Sequence, residues 1–295
     1  MIFLFFVLLL LLHHPIHSQN VPGNVSIFIL AGQSNMAGRG GIFNGTAAWD
    51  GVVPPESRPS PRILRLTAKL TWEMAQEPLH ADIDVTKTNG IGPGMPFANR
   101  ILDSDPRLGP VGLVPCAIGG TSISQWQKGE SLYEETVRRA AMATATANGG
   151  SYKAVLWYQG ESDTVDPEES ELYKQRLIKF FTDLRSDLRD PNLPIIQVAL
   201  ASGEGPYLEA VREAQLETDL KNVHCVDAKG LRLEPDGLHL TTSAQVRLGG
   251  MMADAFLAIP NATGPSTPNS LSPLCLSFLF PLLFTLFTTP SSLTS

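Results

Sequence analysis

Five short, largely apolar runs, each closed by a turn-forming residue, set the architecture open to this chain. They cover residues 27–31, 112–118, 154–158, 195–200 and 224–227. None alternates apolar with polar side chains. Each is therefore expected to be buried on both faces, as strands of a parallel sheet are. Helical patterns lie between them. The clearest covers 167–189, with Tyr173, Leu177, Phe180, Phe181, Leu184 and Leu188 on one face. Asp166 is its expected cap, Pro167 fits the first turn, and Glu169 completes a capping-box-like start. A last helix carries Ala244, Leu248, Met251, Met252 and Ala255, with Thr242 and Gln245 as a capping-box pair. Segments 132–147 and 207–220 give weaker helical patterns. This alternation predicts one α/β three-layer domain over 25–258, long enough for a full core. Residues 39–95, rich in Gly and Pro and poorly periodic, are expected to form a long surface insertion after the first strand.

Charge marks the limits of that domain. The chain is 43% hydrophobic and 17% charged, and every Lys, Arg, Asp and Glu lies between Arg39 and Asp254. The apolar content excludes a disordered chain. The net charge of −7 argues against sequence-independent binding to nucleic acid, which needs a basic surface. Residues 2–12 are eleven consecutive apolar residues, too few to span a bilayer and the length of a signal-peptide core. Segment 1–18 is read as a signal peptide cut near Ser18. Residues 261–273 read as a polar linker, followed by a near-apolar run, 274–287, containing Pro281. That order fits a signal for a glycosylphosphatidylinositol (GPI) anchor and attachment to the membrane surface; an unprocessed tail or a short membrane anchor are the alternatives. The domain proper is then 19–260. Sequons at Asn24, Asn44 and Asn261 agree with a secreted glycoprotein. Cys116 and Cys225 could pair in a secreted protein, although both sit in apolar runs and read as buried thiols. There is no CxxC and no Cys/His cluster to hold a metal.

Sites in open parallel sheets form beyond the carboxyl ends of strands. Those ends carry Gly32-Gln33-Ser34-Asn35-Met36, Gly119-Gly120-Thr121-Ser122, Gln159-Gly160-Glu161-Ser162-Asp163 and Asp236-Gly237-Leu238-His239. Ser34 is a candidate nucleophile at a tight turn after Gly32, although Met36 breaks the G-x-S-x-G elbow. Ser34 needs a base. His13, His14 and His17 leave with the signal; His224 lies in an apolar run and reads as core; His80 lies in the irregular insertion. His239 remains, three residues after Asp236, a spacing that can set a carboxylate against the imidazole. Gly120, Gln159 and Ser34 itself can donate hydrogen bonds to an oxyanion. Trp126 could stack on a sugar or belong to the core. Gly38, Gly40 and Gly41 form neither G-x-G-x-x-G nor a P-loop, which excludes a nucleotide site on that basis.

The motifs GQSNMAGRGG, GGTSISQW, WYQGESD and DGLHL together resemble the SGNH hydrolase superfamily, and within it the plant carbohydrate esterases of family six, the sialate O-acetylesterase-like group. The resemblance spans roughly 24–258. It implies a flavodoxin-like three-layer sandwich with a mostly parallel sheet. It also implies removal of O-acetyl groups from carbohydrate without a cofactor. It casts Ser34 as nucleophile, His239 as base, Asp236 as its orienting acid and Gly120 as an oxyanion donor. Gln159 stands where the superfamily has Asn, and Glu161 is an alternative acid. The implied substrate is an acetylated cell-wall polysaccharide such as xylan; lipid or small-molecule esters, or an inactive wall-binding module, are the competing readings.

Overall fold

The computed structural model describes residues 23–43 and 47–260. The expected signal peptide and C-terminal tail, and the Asn44 and Asn261 sequons, lie outside these residues. Seven strands form one sheet in the order β5-β4-β6-β1-β7-β8-β9. They are β1 Ser26–Gly32, β4 Ile63–Leu66, β5 Trp72–Met74, β6 Val111–Pro115, β7 Ser151–Tyr158, β8 Ile195–Ala199 and β9 Val223–Asp227. All neighbours pair in parallel except β5, which runs antiparallel to β4. A separate two-stranded ribbon joins β2 Ile42–Phe43 to β3 Ala48–Trp49. The helices are α1 Ser34–Ala37, α2 Gly94–Ser104, α3 Ser131–Thr146, α4 Pro167–Asp187, α5 Leu208–Leu216 and α6 Thr242–Leu257.

The apolar runs became strands because both faces of the sheet are covered. On one face Phe28 of β1 meets Phe97 of α2 and Phe256 of α6, with centroids 4.9 and 5.1 Å away. On the other, Trp157 of β7 packs on Phe180 of α4 at 4.6 Å and on Trp126 at 5.2 Å. Each such burial stabilises the fold by about 1.5–3 kcal/mol. α4 is capped as expected: the Asp166 carboxylate accepts the Glu168 and Glu169 N–H groups. Glu169 itself pairs with Arg176 at 2.6 Å.

Four expectations need correction. Residues 39–95 are not a surface insertion: β4 and β5 extend the sheet, and Ile63, Leu66, Leu79 and His80 are buried. These strands have four and three residues, too few to show a period. α2 had no sequence signal strong enough to announce it. The cap of α6 is Thr241 rather than Thr242, and Gln245 turns inward to the Asn35 carbonyl at 3.1 Å. Cys116 and Cys225 are both free, and only Cys116 is buried. Cys225 is exposed, and His224 only partly buried, because β9 is an edge strand.

The topology fixes where a site can form. After β1 the chain runs to β4, on the β6 side of the sheet, whereas after β6 it runs through α3 to β7, on the opposite side of β1. This divergence opens a crevice at the carboxyl ends of the two strands, the usual place for a ligand in such sheets.

Candidate active site

Gly32 ends β1 with φ +134°, and a Cβ there would stand 2.0 Å from the Tyr158 carbonyl oxygen. Only glycine fits this conformation and this approach. The Gln33 N–H then binds the same oxygen at 2.9 Å, turning the chain into α1. Met36 and Ala37 anchor that single turn in the core. Ser34, its first residue, faces the crevice.

The loop after β9 brings the other partners. Gly237, at φ +69°, lets the chain fold back so that the Asp236 carboxylate accepts the Leu238 and His239 N–H groups, both at 2.9 Å. The second Asp236 oxygen lies 2.6 Å from His239 Nδ1, and His239 Nε2 lies 3.0 Å from Ser34 Oγ. Hydroxyl, imidazole and carboxylate thus stand in line. Partial burial raises the Asp236 carboxyl, but the two backbone donors and the imidazole outweigh it and hold the group below its ordinary value of 3.8. A carboxylate so held fixes the imidazole tautomer and can stabilise an imidazolium.

Asp236, and not Glu161, is the carboxylate on His239. Glu161 is wholly buried and accepts from Asn35 Nδ2 at 2.8 Å. Gln159 is wholly buried too, and its amide hydrogens are engaged elsewhere: they go to the Thr121 carbonyl at 2.8 Å and to the Asp163 carboxylate at 2.6 Å. Gln159 therefore braces the loop after β6 and does not point at the crevice. Gly119 lies against Ser34, since a Cβ built on it would stand 3.4 Å from Ser34 Cβ. Among the described residues, no acceptor meets the backbone N–H of Ser34 or of Gly120. Gly120 is exposed with φ +73°. Trp126 has no face open to a sugar: it is fully buried, edge-on to Trp157, with its indole N–H on Thr121 Oγ1 at 3.0 Å.

Several residues without an assigned role in the sequence prove central. Arg39 is buried behind the β6 loop in an ion pair with Asp84, and its Nη1 donates to Asn89 Oδ1 at 2.9 Å. Asp84 in turn accepts the Gly119 N–H at 3.2 Å. Removing one member of a buried pair leaves the other charged and unpaired, which costs about 3–5 kcal/mol. Asp84→Ala is therefore expected to lower unfolding stability by about that amount in urea titrations; a change below about 1 kcal/mol would contradict this reading. His80 lies close by, wholly buried. Burial, and then the Arg39 charge, push its imidazole down to about 3, so it stays neutral.

Glu77, three residues before His80, makes the stability depend on pH. Burial pushes its carboxyl up from 4.5 to about 8, against a hydrogen bond from the Leu79 N–H. The folded protein then keeps a proton that the unfolded chain has released, so stability falls as pH climbs from about 4.5 to about 8. A neutral amide removes that dependence. The melting temperature of Glu77→Gln relative to the parent is expected to rise steadily between pH 5 and 8; a constant difference across that range would refute it.

A mostly parallel sheet with this crevice, and with serine, histidine and aspartate in line across it, defines an SGNH-like α/β hydrolase. The family model for carbohydrate esterases, sialic acid-specific acetylesterase, matches residues 24–258. A protein named a probable carbohydrate esterase, from Arabidopsis thaliana, is 54% identical over 245 residues, covering 81% of this chain and 92% of that relative. The X-ray structure of the Arabidopsis thaliana protein superposes with a TM-score of 0.76 at 53% identity, covering 80% of this chain and 98% of the other. The fold also matches NanS, with a TM-score of 0.64 at 17% identity over 80% of this chain and 97% of that one. It matches a carbohydrate acetylesterase of Xanthomonas citri at 0.55 and 20% identity, over 78% and 55% of the respective chains. The chain belongs to this carbohydrate esterase family and is a hydrolase acting on ester bonds.

Proposed function

We propose that the chain removes O-acetyl groups from carbohydrate by two-step acyl transfer, with a plant cell-wall polysaccharide such as acetylated xylan as substrate. The observation that carries this reading is the unbroken hydrogen-bond chain from Ser34 through His239 to Asp236 at the crevice. His239 Nε2 takes the Ser34 proton as Oγ bonds to the acetyl carbonyl carbon. The bond from that carbon to the sugar oxygen then breaks, and the sugar oxygen leaves with the proton held by His239. Water next gives a proton to His239 and its hydroxyl oxygen to the acyl carbon. The bond from that carbon to Ser34 Oγ breaks, Oγ takes the proton back from His239, and the acid departs as acetate with its own proton passing to solvent. The unpaired N–H groups of Ser34 and Gly120 are suited to the oxyanion; one such donor contributes about 3–4 kcal/mol. Gln159 serves this hole indirectly, by holding Thr121 beside Gly120.

The test is acetate release across acetylated xylan, acetylated pectin, an O-acetylated sialic acid and long-chain esters. This reading expects xylan to be deacetylated fastest and long-chain esters to be poor substrates. Preference for long chains would favour a lipid esterase, and no release from any of them would favour a wall-binding module. The proposed setting is the cell exterior, with the esterase domain over 19–260. The apolar run at 2–12 supports export, and 274–287 supports a surface anchor. Release from intact cells by a phosphatidylinositol-specific phospholipase is the expected result; retention would exclude the anchor.

A further inference from the structure

Asn35, the neighbour of the proposed nucleophile, is wholly buried and spends its side chain on the loop that carries the base. Its Oδ1 accepts the Leu240 N–H at 2.9 Å, and its Nδ2 donates to the Leu238 carbonyl at 3.3 Å. These peptide groups lie on either side of His239. The same Nδ2 also donates to Glu161 Oε1 at 2.8 Å. Gln245 Nε2, from α6, fixes the Asn35 carbonyl at 3.1 Å, and Ser202 Oγ supports the Leu238 carbonyl from the far side at 2.5 Å. Ser34 and His239 are 205 positions apart in the chain and meet through one contact of 3.0 Å. A displacement of about 1 Å between such groups can cost a hundredfold in rate.

We propose that Asn35, held by Glu161, is the positioning residue that sets His239 in register with Ser34. The task needs one acceptor and two donors on a short, planar side chain, which among the amino acids describes asparagine. Aspartate has the same shape and could still accept from Leu240, but an ionised aspartate cannot donate, and it would set a second carboxylate against Glu161. The part assigned to Glu161 needs only its Oε1 as an acceptor. That oxygen is available whether or not the acid is ionised, and burial pushes the group up to about 7. Glutamine offers an equivalent carbonyl oxygen.

The proposal rests on the esterase reading for its kinetic arm and is independent of it for the other. Asn35→Asp, Asn35→Ala and Glu161→Gln are compared with the parent on p-nitrophenyl acetate, in fluorophosphonate labelling rate, and in amide deuterium uptake over residues 238–241. The expected result for Asn35→Asp is a fall in kcat of about 100-fold with KM within about twofold, and labelling slowed in parallel. Glu161→Gln is expected to stay within about threefold of the parent. Uptake over 238–241 is expected to rise in Asn35→Ala. A folded Asn35→Asp with parental kcat, or a loss confined to KM, overturns the proposal. So does a Glu161→Gln variant as impaired as Asn35→Asp, since Glu161 would then act through its charge. If the parent neither cleaves the ester nor takes the label, the esterase reading fails; unchanged uptake in Asn35→Ala separately overturns the positioning role.

Discussion

Replacing Ser34 by alanine is expected to lower kcat for acetyl ester hydrolysis by at least about ten-thousand-fold. The variant keeps the backbone N–H at position 34, so the proposed oxyanion donors stay and KM is expected to change little. It loses the Oγ that meets His239 Nε2 at 3.0 Å, and with it the acyl acceptor. Folding should hardly notice: α1 is anchored by Met36 and Ala37, and one neutral hydrogen bond contributes about 1 kcal/mol. Steady-state kinetics and a thermal melt on the same preparation check both halves. A folded Ser34→Ala variant with a tenth of parental activity would contradict the assigned role.

Asp236→Asn is the second large effect, about ten-thousand-fold in kcat. The amide oxygen can still accept the Leu238 and His239 N–H groups that shape the turn, so the loop persists. The group facing His239 Nδ1, however, becomes a donor. It forces the proton onto Nε2, where the imidazole can no longer accept from Ser34. Glu161→Gln on the same substrate is expected to change kcat only a few-fold, because Glu161 bonds to Asn35 and not to the imidazole. The reverse ranking would transfer the acid role to Glu161. Acid adds an independent check. The folded value of the Asp236 carboxyl lies below 3.8, so its stabilising contribution is complete above that value and is lost as pH falls through the folded one.

The five runs that the sequence marks as strands are strands because β1, β6, β7 and β8 are buried on both faces, which leaves an uninterrupted apolar imprint. β9 shares that imprint, yet it lies at the sheet edge and exposes Cys225. β4 and β5 were illegible for want of length. In the site, Ser34, Asp236 and His239 were readable because each lies beside a glycine turn, Ser34 after Gly32 and the other two on either side of Gly237. Gln159 was the right kind of donor in the right place, but Asp163, four residues on, draws its amide inward. The Arg39–Asp84 pair joins residues 45 positions apart across an aperiodic stretch, and no local pattern announces such a contact. Asn35 stands within the GQSNMAGRGG motif, but its task depends on the loop around His239, 203 to 205 positions away, folding over it.

The central claim is that Ser34 is the residue that becomes acylated. Peptide mass mapping after treatment of the folded protein with a fluorophosphonate tests it most directly. The account predicts one adduct, on the peptide containing Ser34, absent from Ser34→Ala and strongly slowed in Asp236→Asn. A folded parent that releases acetate with no adduct at Ser34, or with the adduct on another residue, would contradict it.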